Sequence, residues 1–360
     1  MLPSRHLTAN CSSALTRAFG ASRAPGKTTV SNHSHSHSTL VAATAKGGVQ
    51  LDIANSVWPQ REDGFRQDFL DLLKTDYGAI VTPSDFIREH ERARAAINRW
   101  VEEKTHKKIS DMAEPEDIDS LTRLVIANAI YFKGFWATQF PESATRTGTF
   151  IVNANLSVSV PFMMVTGDFG CYEDAFLQCL ILPYREKQFQ MVLLLPRSRG
   201  KEGWFGEAHG PDQKARDPKR NFIALEDNLN PARLRTWISR AMMMEVHVMI
   251  PKFKLSNRIV LSSVLEALGV VDAFNSRRAD FSGIDENAGP LFLSKFLHRA
   301  SIEVDEKGTE AVATSAAFAK RAGTIDFLAD HPFLVLVQQA DTGTILFMGR
   351  VADPQGSAKL

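Results

Sequence analysis

From Leu51 onward the apolar and polar positions fall into periods that can be read as elements. Leu51, Ile53 and Val57-Trp58 set against Asp52, Asn55 and Ser56 make a strand, ended by Pro59, which cannot donate to a sheet ladder. Phe65, Phe69, Leu72 and Leu73 recur at helical spacing, and Tyr77 to Val81 reads as a short strand. Pro83-Ser84-Asp85 opens a helix, with Ser84 or Asp85 placed to cap its free amides. Phe86, Ala93, Ile97, Trp100 and Val101 form that helix's apolar stripe, opposite a solvated face of Arg and Glu. Leu124 to Phe132 is almost continuously apolar, the pattern of a strand covered on both faces. Asn128 interrupts it. A buried amide left without a partner costs about 1–3 kcal/mol, so Asn128 is a candidate for an internal polar cluster.

Strands follow at Gly148 to Val152, Val158 to Phe162, Phe169 to Tyr172, Cys179 to Tyr184 and Met191 to Leu195. Residues 197–221, rich in Gly, Arg and Lys, read as a polar surface insertion. Leu225 to Arg240 reads as one helix, Val246 to Ile250 as a strand, and Leu261 to Leu268 as a helix stopped by Gly269. Leu291 to Leu297 leads into an apolar alternation at Ile302 and Val304. A hairpin closes the pattern, with strands in 331–337 and 345–349 around Asp341-Thr342-Gly343. Helices cluster early and strands dominate later, with no repeat and no clean linker after residue 50. This predicts an α+β fold around large, mainly antiparallel sheets.

Composition narrows the function. The 360 residues suffice for one large domain or two ordinary ones, and 44% of them are apolar. A net charge of +1 supplies no field that would recruit nucleic acid or an anionic membrane. No apolar run reaches the roughly 18 residues of a membrane span. There is no zinc pattern, HExxH, P-loop, GxGxxG or GxSxG, so no catalytic, cofactor or metal site is expected. Three cysteines are too few for a disulfide framework, and Cys171 and Cys179 read as buried thiols near adjacent strands. Residues 1–48 hold no acid, carry scattered Arg and Lys among Ser, Thr and Ala, and include a Ser-His tract. They read as a disordered low-complexity segment, as an organellar targeting segment over residues 1–30, or as a misplaced start of the reading frame. Location stays open between extracellular, cytoplasmic and organellar.

The stretch from Ile302 to Gly323 has a different character. It starts as a strand and then runs through Thr309, Ala311, Val312, Ala313, Thr314, Ser315, Ala316 and Ala317 with nothing to anchor it in a core. Lys320-Arg321, a pair that trypsin-like proteases cut, follows. Small residues leading to a cleavable bond suggest a bait able to change conformation; an ordinary Ala-rich surface loop is the alternative.

Ordered motifs carry a resemblance to the serpins, the suicide protease inhibitors. They are Leu51 to Trp58, Ile97 to Ile109, Asn128-Ala-Ile-Tyr-Phe-Lys-Gly-Phe-Trp136, Ile250-Pro-Lys-Phe253, Ala273 to Ser276, Asp280 to Gly283, Asp305 to Ala311, Asp330 to Phe333 and Ile345 to Arg350. The resemblance covers about residues 51–354 and implies a serpin domain over 49–354, a reactive-centre loop over 306–327 and a tail over 355–360. It implies large sheets, a helical layer, and a monomer whose partner is a target serine protease: trypsin-like if Arg321 precedes the cut bond, elastase-like if Ala322 does. Hinge-to-bond spacing counted from Glu306 lands on Ala322; counting back from Pro332 lands on Arg321, and the basic pair favours Arg321–Ala322.

The resemblance further implies a hinge at Glu306, Gly308, Thr309, Glu310, Ala311 and Ala313. Glu306 should form a largely exposed pair with Lys252, Trp136 should lie under the point where insertion begins, and Asn128 and His298 should form a polar cluster beneath the main sheet. Small residues and the absence of Pro over 309–317 suit insertion as a strand, the inhibitory type; a non-inhibitory binding or chaperone-like serpin, or an inactive truncated copy, is the other reading. The family's N-terminal helices are not recognisable in the residues before Leu51. Asn128 and His298 would then lack their usual hydroxyl partners.

Overall fold

The alternation at Leu51–Trp58 becomes strand β1 in a computed structural model that describes residues 48–61, 64–197, 218–284, 291–306 and 323–355. In chain order the strands and α-helices are β1 (Val49–Pro59), α1 (Gln67–Tyr77), β2 (Ile80–Val81), α2 (Phe86–Lys104), β3 (Leu124–Gly134), β4 (Arg146–Asn153), β5 (Leu156–Glu173), β6 (Leu177–Pro183), β7 (Phe189–Pro196), α3 (Pro218–Asn228), α4 (Pro231–Ser239), β8 (Met242–Pro251), β9 (Phe253–Val260), α5 (Leu261–Ala267), β10 (Lys295–Val304), β11 (Ile325–Leu328), β12 (Phe333–Gln339) and β13 (Ile345–Val351). They divide into two compact units. One holds the described residues up to Phe132 with those of Asn257–Ser301; the other holds those of Lys133–Ser256 with those from Ile302 on.

In the first unit the period of two on β3 sorts its side chains between two cores. Val125, Ala127, Ala129 and Tyr131 join Phe86, Ala93, Ile97 and Val101 of α2. Ala at 127 and 129 lets the helix approach closely, and the charged face of α2 stays in water. Leu124 joins the other core with Val57, Phe296 and the α5 residues Leu261 and Leu265. Helix α2 starts where expected: of the two capping candidates, the Asp85 carboxylate accepts from the Arg88 amide at 3.0 Å. These strands form a sheet in the order β2-β1-β3-β10-β9.

The segment after α2 is held by side chains rather than by a ladder. Thr105 Oγ1 donates to Val101 O at 2.8 Å and accepts from the Ile109 amide at 3.1 Å. His106, Lys107 and Asp111 all have positive φ, a conformation that costs a non-glycine residue energy unless its surroundings enforce it. Two arginines help enforce it. Arg299 of β10 donates to Ser110 O and Asp111 O, and Arg258 of β9 donates to Met112 O and to the buried Asp117 carboxylate.

The second unit contains the larger sheet, in the order β11-β8-β5-β6-β7-β12-β13, with β4 also paired to β5. Val192 and Leu194 of β7, Leu334 and Leu336 of β12, and Leu177 and Cys179 of β6 pack against Phe222, Leu225, Leu234 and Trp237 of α3 and α4. The C-terminal hairpin pairs Phe333 with Val351 through to Gln338 with Ile345. Cys171 and Cys179 are buried free thiols on adjacent strands, and burial pushes them up to about 11 and about 12, which makes them poor nucleophiles.

Four expectations of the sequence are corrected. Tyr77 ends α1 rather than starting a strand, because Gly78 takes φ +57° and caps the helix; only Ile80–Val81 is extended. Leu225 to Arg240 is two helices. Pro231 suits a first helical position, and Asn230 accepts from the amides of Ala232 and Arg233 at 3.1 and 3.0 Å, so a new helix begins there. Residues 218–221 accordingly belong to α3 rather than to a surface insertion, whose remaining residues 198–217 lie outside the described ones. The two strands expected at 158–162 and 169–172 are one 18-residue strand, since β8 pairs with it without interruption from Phe162 to Cys171.

Arg258→Ala should cost about 3 kcal/mol in a urea titration, because it leaves the Asp117 carboxylate, 5% exposed, without its cation. A loss below about 1 kcal/mol would show that Asp117 is satisfied by other groups.

Candidate functional site at the end of strand β10

In the second unit the last residues of β10 are gripped by side chains from several elements. Strand β3 delivers Lys133, whose ammonium donates to Glu303 Oε1 at 3.1 Å and to Asp305 Oδ2 at 2.7 Å. Just beyond β3, Trp136 Nε1 donates to Asp305 O at 2.9 Å. Its indole stacks on Tyr184, with centroids 4.7 Å apart and planes at 12°, and meets Phe140 edge-on at 5.8 Å. Gly134 is required beneath that stack: a Cβ there would stand 2.4 Å from the Tyr184 ring. Glu306 uses both carboxylate oxygens. Oε1 accepts from Thr145 Oγ1 at 2.7 Å, and Oε2 pairs with Lys252 Nζ at 2.8 Å. The pair is not the largely exposed one the sequence suggested, because the Glu306 side chain is 7% exposed against 38% for Lys252. Burial alone would raise the Glu306 carboxyl, but hydrogen bonds from Lys252 and Thr145 overcome it and hold the group below its ordinary value.

In the first unit the polar interruption at Asn128 belongs to a row running across three neighbouring strands. His298 of β10 bonds Asn128 Oδ1 of β3 through Nδ1 at 2.7 Å. Asn128 Nδ2 donates to Asn55 Oδ1 of β1 at 2.5 Å, and Asn55 Nδ2 donates to Tyr77 O at 3.1 Å. The direction of donation gives His298 a protonated Nδ1, since the amide oxygen opposite can only accept. Asn55 supplies the partner expected of a hydroxyl. Ser56, the nearest hydroxyl in sequence, instead bonds Ala127 O and accepts from Trp58 Nε1. Some of His298 remains at the surface, yet the protein packed around the ring disfavours its charged form and lowers it to about 4.

The described residues thus place Trp136, Lys252 and Glu306 together, and Asn128 with His298. Gly308, Thr309, Glu310, Ala311, Ala313, Arg321 and Ala322 lie outside the described residues. Sequence reasoning missed four participants. Asn55 carried the same signal as Asn128, an amide inside a strand pattern. Lys133 stands in the sequence only as one member of the Asn128–Trp136 motif, while Thr145 and Tyr184 carry no local mark.

Comparison with known proteins gives one consistent answer. The family profile described as "Serpin (serine protease inhibitor)" matches residues 7–354, and so takes in much of the stretch before Leu51 that the motif-by-motif resemblance left out. Leukocyte elastase inhibitor A of Rattus norvegicus is 34% identical over 325 residues, 88% of this chain and 81% of the relative. Uncleaved ovalbumin superposes with a TM-score of 0.77 at 28% identity, covering 89% of this chain and 83% of that one. AtSerpin1 of Arabidopsis in its native stressed conformation gives 0.73 at 31% identity, covering 90% and 81%.

The depressed His298 value makes stability depend on pH. Between pH 6.5 and about 4 the unfolded chain binds a proton at this position that the folded chain does not, so stability is complete above 6.5 and falls as pH drops through the window. The gap corresponds to about 3 kcal/mol. Denaturant titrations at pH 7 and pH 4 should show this loss in the native protein and a smaller one in His298→Gln; equal losses in both would assign the pH dependence to other groups.

Proposed function

The chain belongs to the serpin family, and from that premise we propose that it inhibits serine proteases as a suicide substrate. One observation carries the reading: β3 and β10 pair directly, and the base of the loop, at Glu306, is pinned where those strands end. That is the arrangement of a sheet still able to accept a strand from the segment that follows.

In this mechanism the serine hydroxyl of the protease adds to the carbonyl of Arg321. The Arg321–Ala322 bond breaks, the new amine of Ala322 leaves, and the protease stays esterified to Arg321. Residues from Glu306 onward then enter between β3 and β10 and carry the protease with them, a release of stored strain. About a dozen new backbone hydrogen bonds at roughly 1 kcal/mol net each supply a drive of order 10 kcal/mol. Thr309, Ala311 and Ala313 are small enough to pass into a sheet, and Glu310, between Thr309 and Ala311, would face the opposite side of an inserted strand. Gly308 gives the hinge its freedom. Asn128, His298, Trp136 and Lys252 hold the sheet closed until cleavage.

Arg321 and Lys320 favour a trypsin-like target. The name of the rat relative, an elastase inhibitor, favours the second reading, cleavage at Ala322–Gly323 by an elastase-like enzyme. Incubation with trypsin and with an elastase should give an SDS-stable complex, and the released C-terminal peptide should begin at Ala322 by mass spectrometry; a peptide beginning at Gly323 selects the second reading. Cleavage with neither a covalent complex nor a rise in thermal stability would show a non-inhibitory or inactive serpin. Thr309→Arg should turn the inhibitor into a substrate, cutting the fraction of covalent complex by about tenfold, because the inserting strand would carry a buried charge.

A further inference from the structure

Three acids crowd the end of β10 within four residues, and they are shared between two lysines. Lys252 takes Glu306. Lys133 takes both Glu303 and Asp305, two residues apart, and is 21% exposed against 32% and 18% for its partners. Burial alone would disfavour the Lys133 ammonium, but the hydrogen bonds to the two carboxylates more than compensate and raise it above the ordinary lysine value. The fork differs from the Lys252 pair in where its ends are anchored. Lys133 stands on β3 and both acids stand on or at the end of β10, and these strands are hydrogen-bonded neighbours. Its three charges therefore bridge the line along which the sheet would part.

We infer that Lys133 is a positioning residue that holds β3 against β10 at the base of the loop and sets how readily this end of the sheet opens. The inference rests on the insertion reading for its functional meaning and on the fork itself for its physics. Placing one more strand between β3 and β10 separates them by a further 4.7–4.9 Å. Contacts of 2.7 and 3.1 Å cannot survive that displacement, so the ammonium must release both carboxylates before the sheet parts. Removing the cation would also leave Glu303 and Asp305 facing each other as like charges, which favours parting further.

Hydrogen exchange read by mass spectrometry over residues 128–134 and 298–305 of the full chain tests the clamp without relying on any protease. Lys133→Met should exchange about tenfold faster there than the native protein, and Glu303→Gln, which keeps Asp305 on the lysine, by a smaller factor. The charge-swapped double variant Lys133→Glu with Glu303→Lys should return toward native exchange. Native-like exchange in Lys133→Met would overturn the proposal, as would a swapped pair that exchanges as fast as Lys133→Met. The clamp's consequence is more spontaneous loss of activity in Lys133→Met. A native protein that forms no covalent complex with trypsin or elastase would sink the inhibitor reading alone, and the exchange data would still decide the clamp.

Discussion

Direct pairing of β3 with β10 is the constraint on which the rest of the structure turns. Both strands bury side chains on either face, so their backbone groups have no water to fall back on. Parting them strands amides and carbonyls along two edges at once, and each unsatisfied buried group costs about 1–3 kcal/mol. An opened sheet is therefore tolerable only if another strand fills it. In the proposed mechanism the segment after β10 would supply that strand, and the physics that keeps the sheet shut would also drive insertion once the loop is cut.

The polar groups near these strands solve the same problem in two ways. In the first unit, burial keeps His298 neutral, and a neutral ring can donate one well-aligned hydrogen bond to Asn128 at no cost in buried charge. Asn128 passes its own donor to Asn55, so each amide in the row has a partner. Half-satisfied buried networks are costly, and this row leaves little room for a substitution at any member. In the second unit, burial works against charge at Glu306 and Lys133 but is outweighed by charge-assisted hydrogen bonds. Trp136 adds a bond to the backbone of Asp305 and a stack on Tyr184, and the missing side chain of Gly134 gives Tyr184 its space.

Much of this was legible along the chain because it is set by neighbours in sequence. The apolar run of β3, the cap and stripe of α2 and the hairpin β12–β13 depend on periods of 2 and 3.6 and on turn residues, and all appear where expected. Asn128 announced a polar cluster by breaking an apolar run. Errors arose where a local signal was overridden or underread. Residues 163–168 were left as a gap between two expected strands, yet pairing with β8 runs straight through them. Asn230-Pro231 was a helix start inside what looked like one helix.

By itself the sequence determined the class of fold, the family and the small-residue composition of 309–317, because these are properties of residue type and order. Only the tertiary structure decided who meets whom. Asn55 and His298 are more than two hundred residues apart yet share Asn128, and Lys133 finds acids 170 and 172 positions away. No local period encodes such a meeting. It follows from the order in which strands are laid side by side, and strand order is settled by which faces can be buried together.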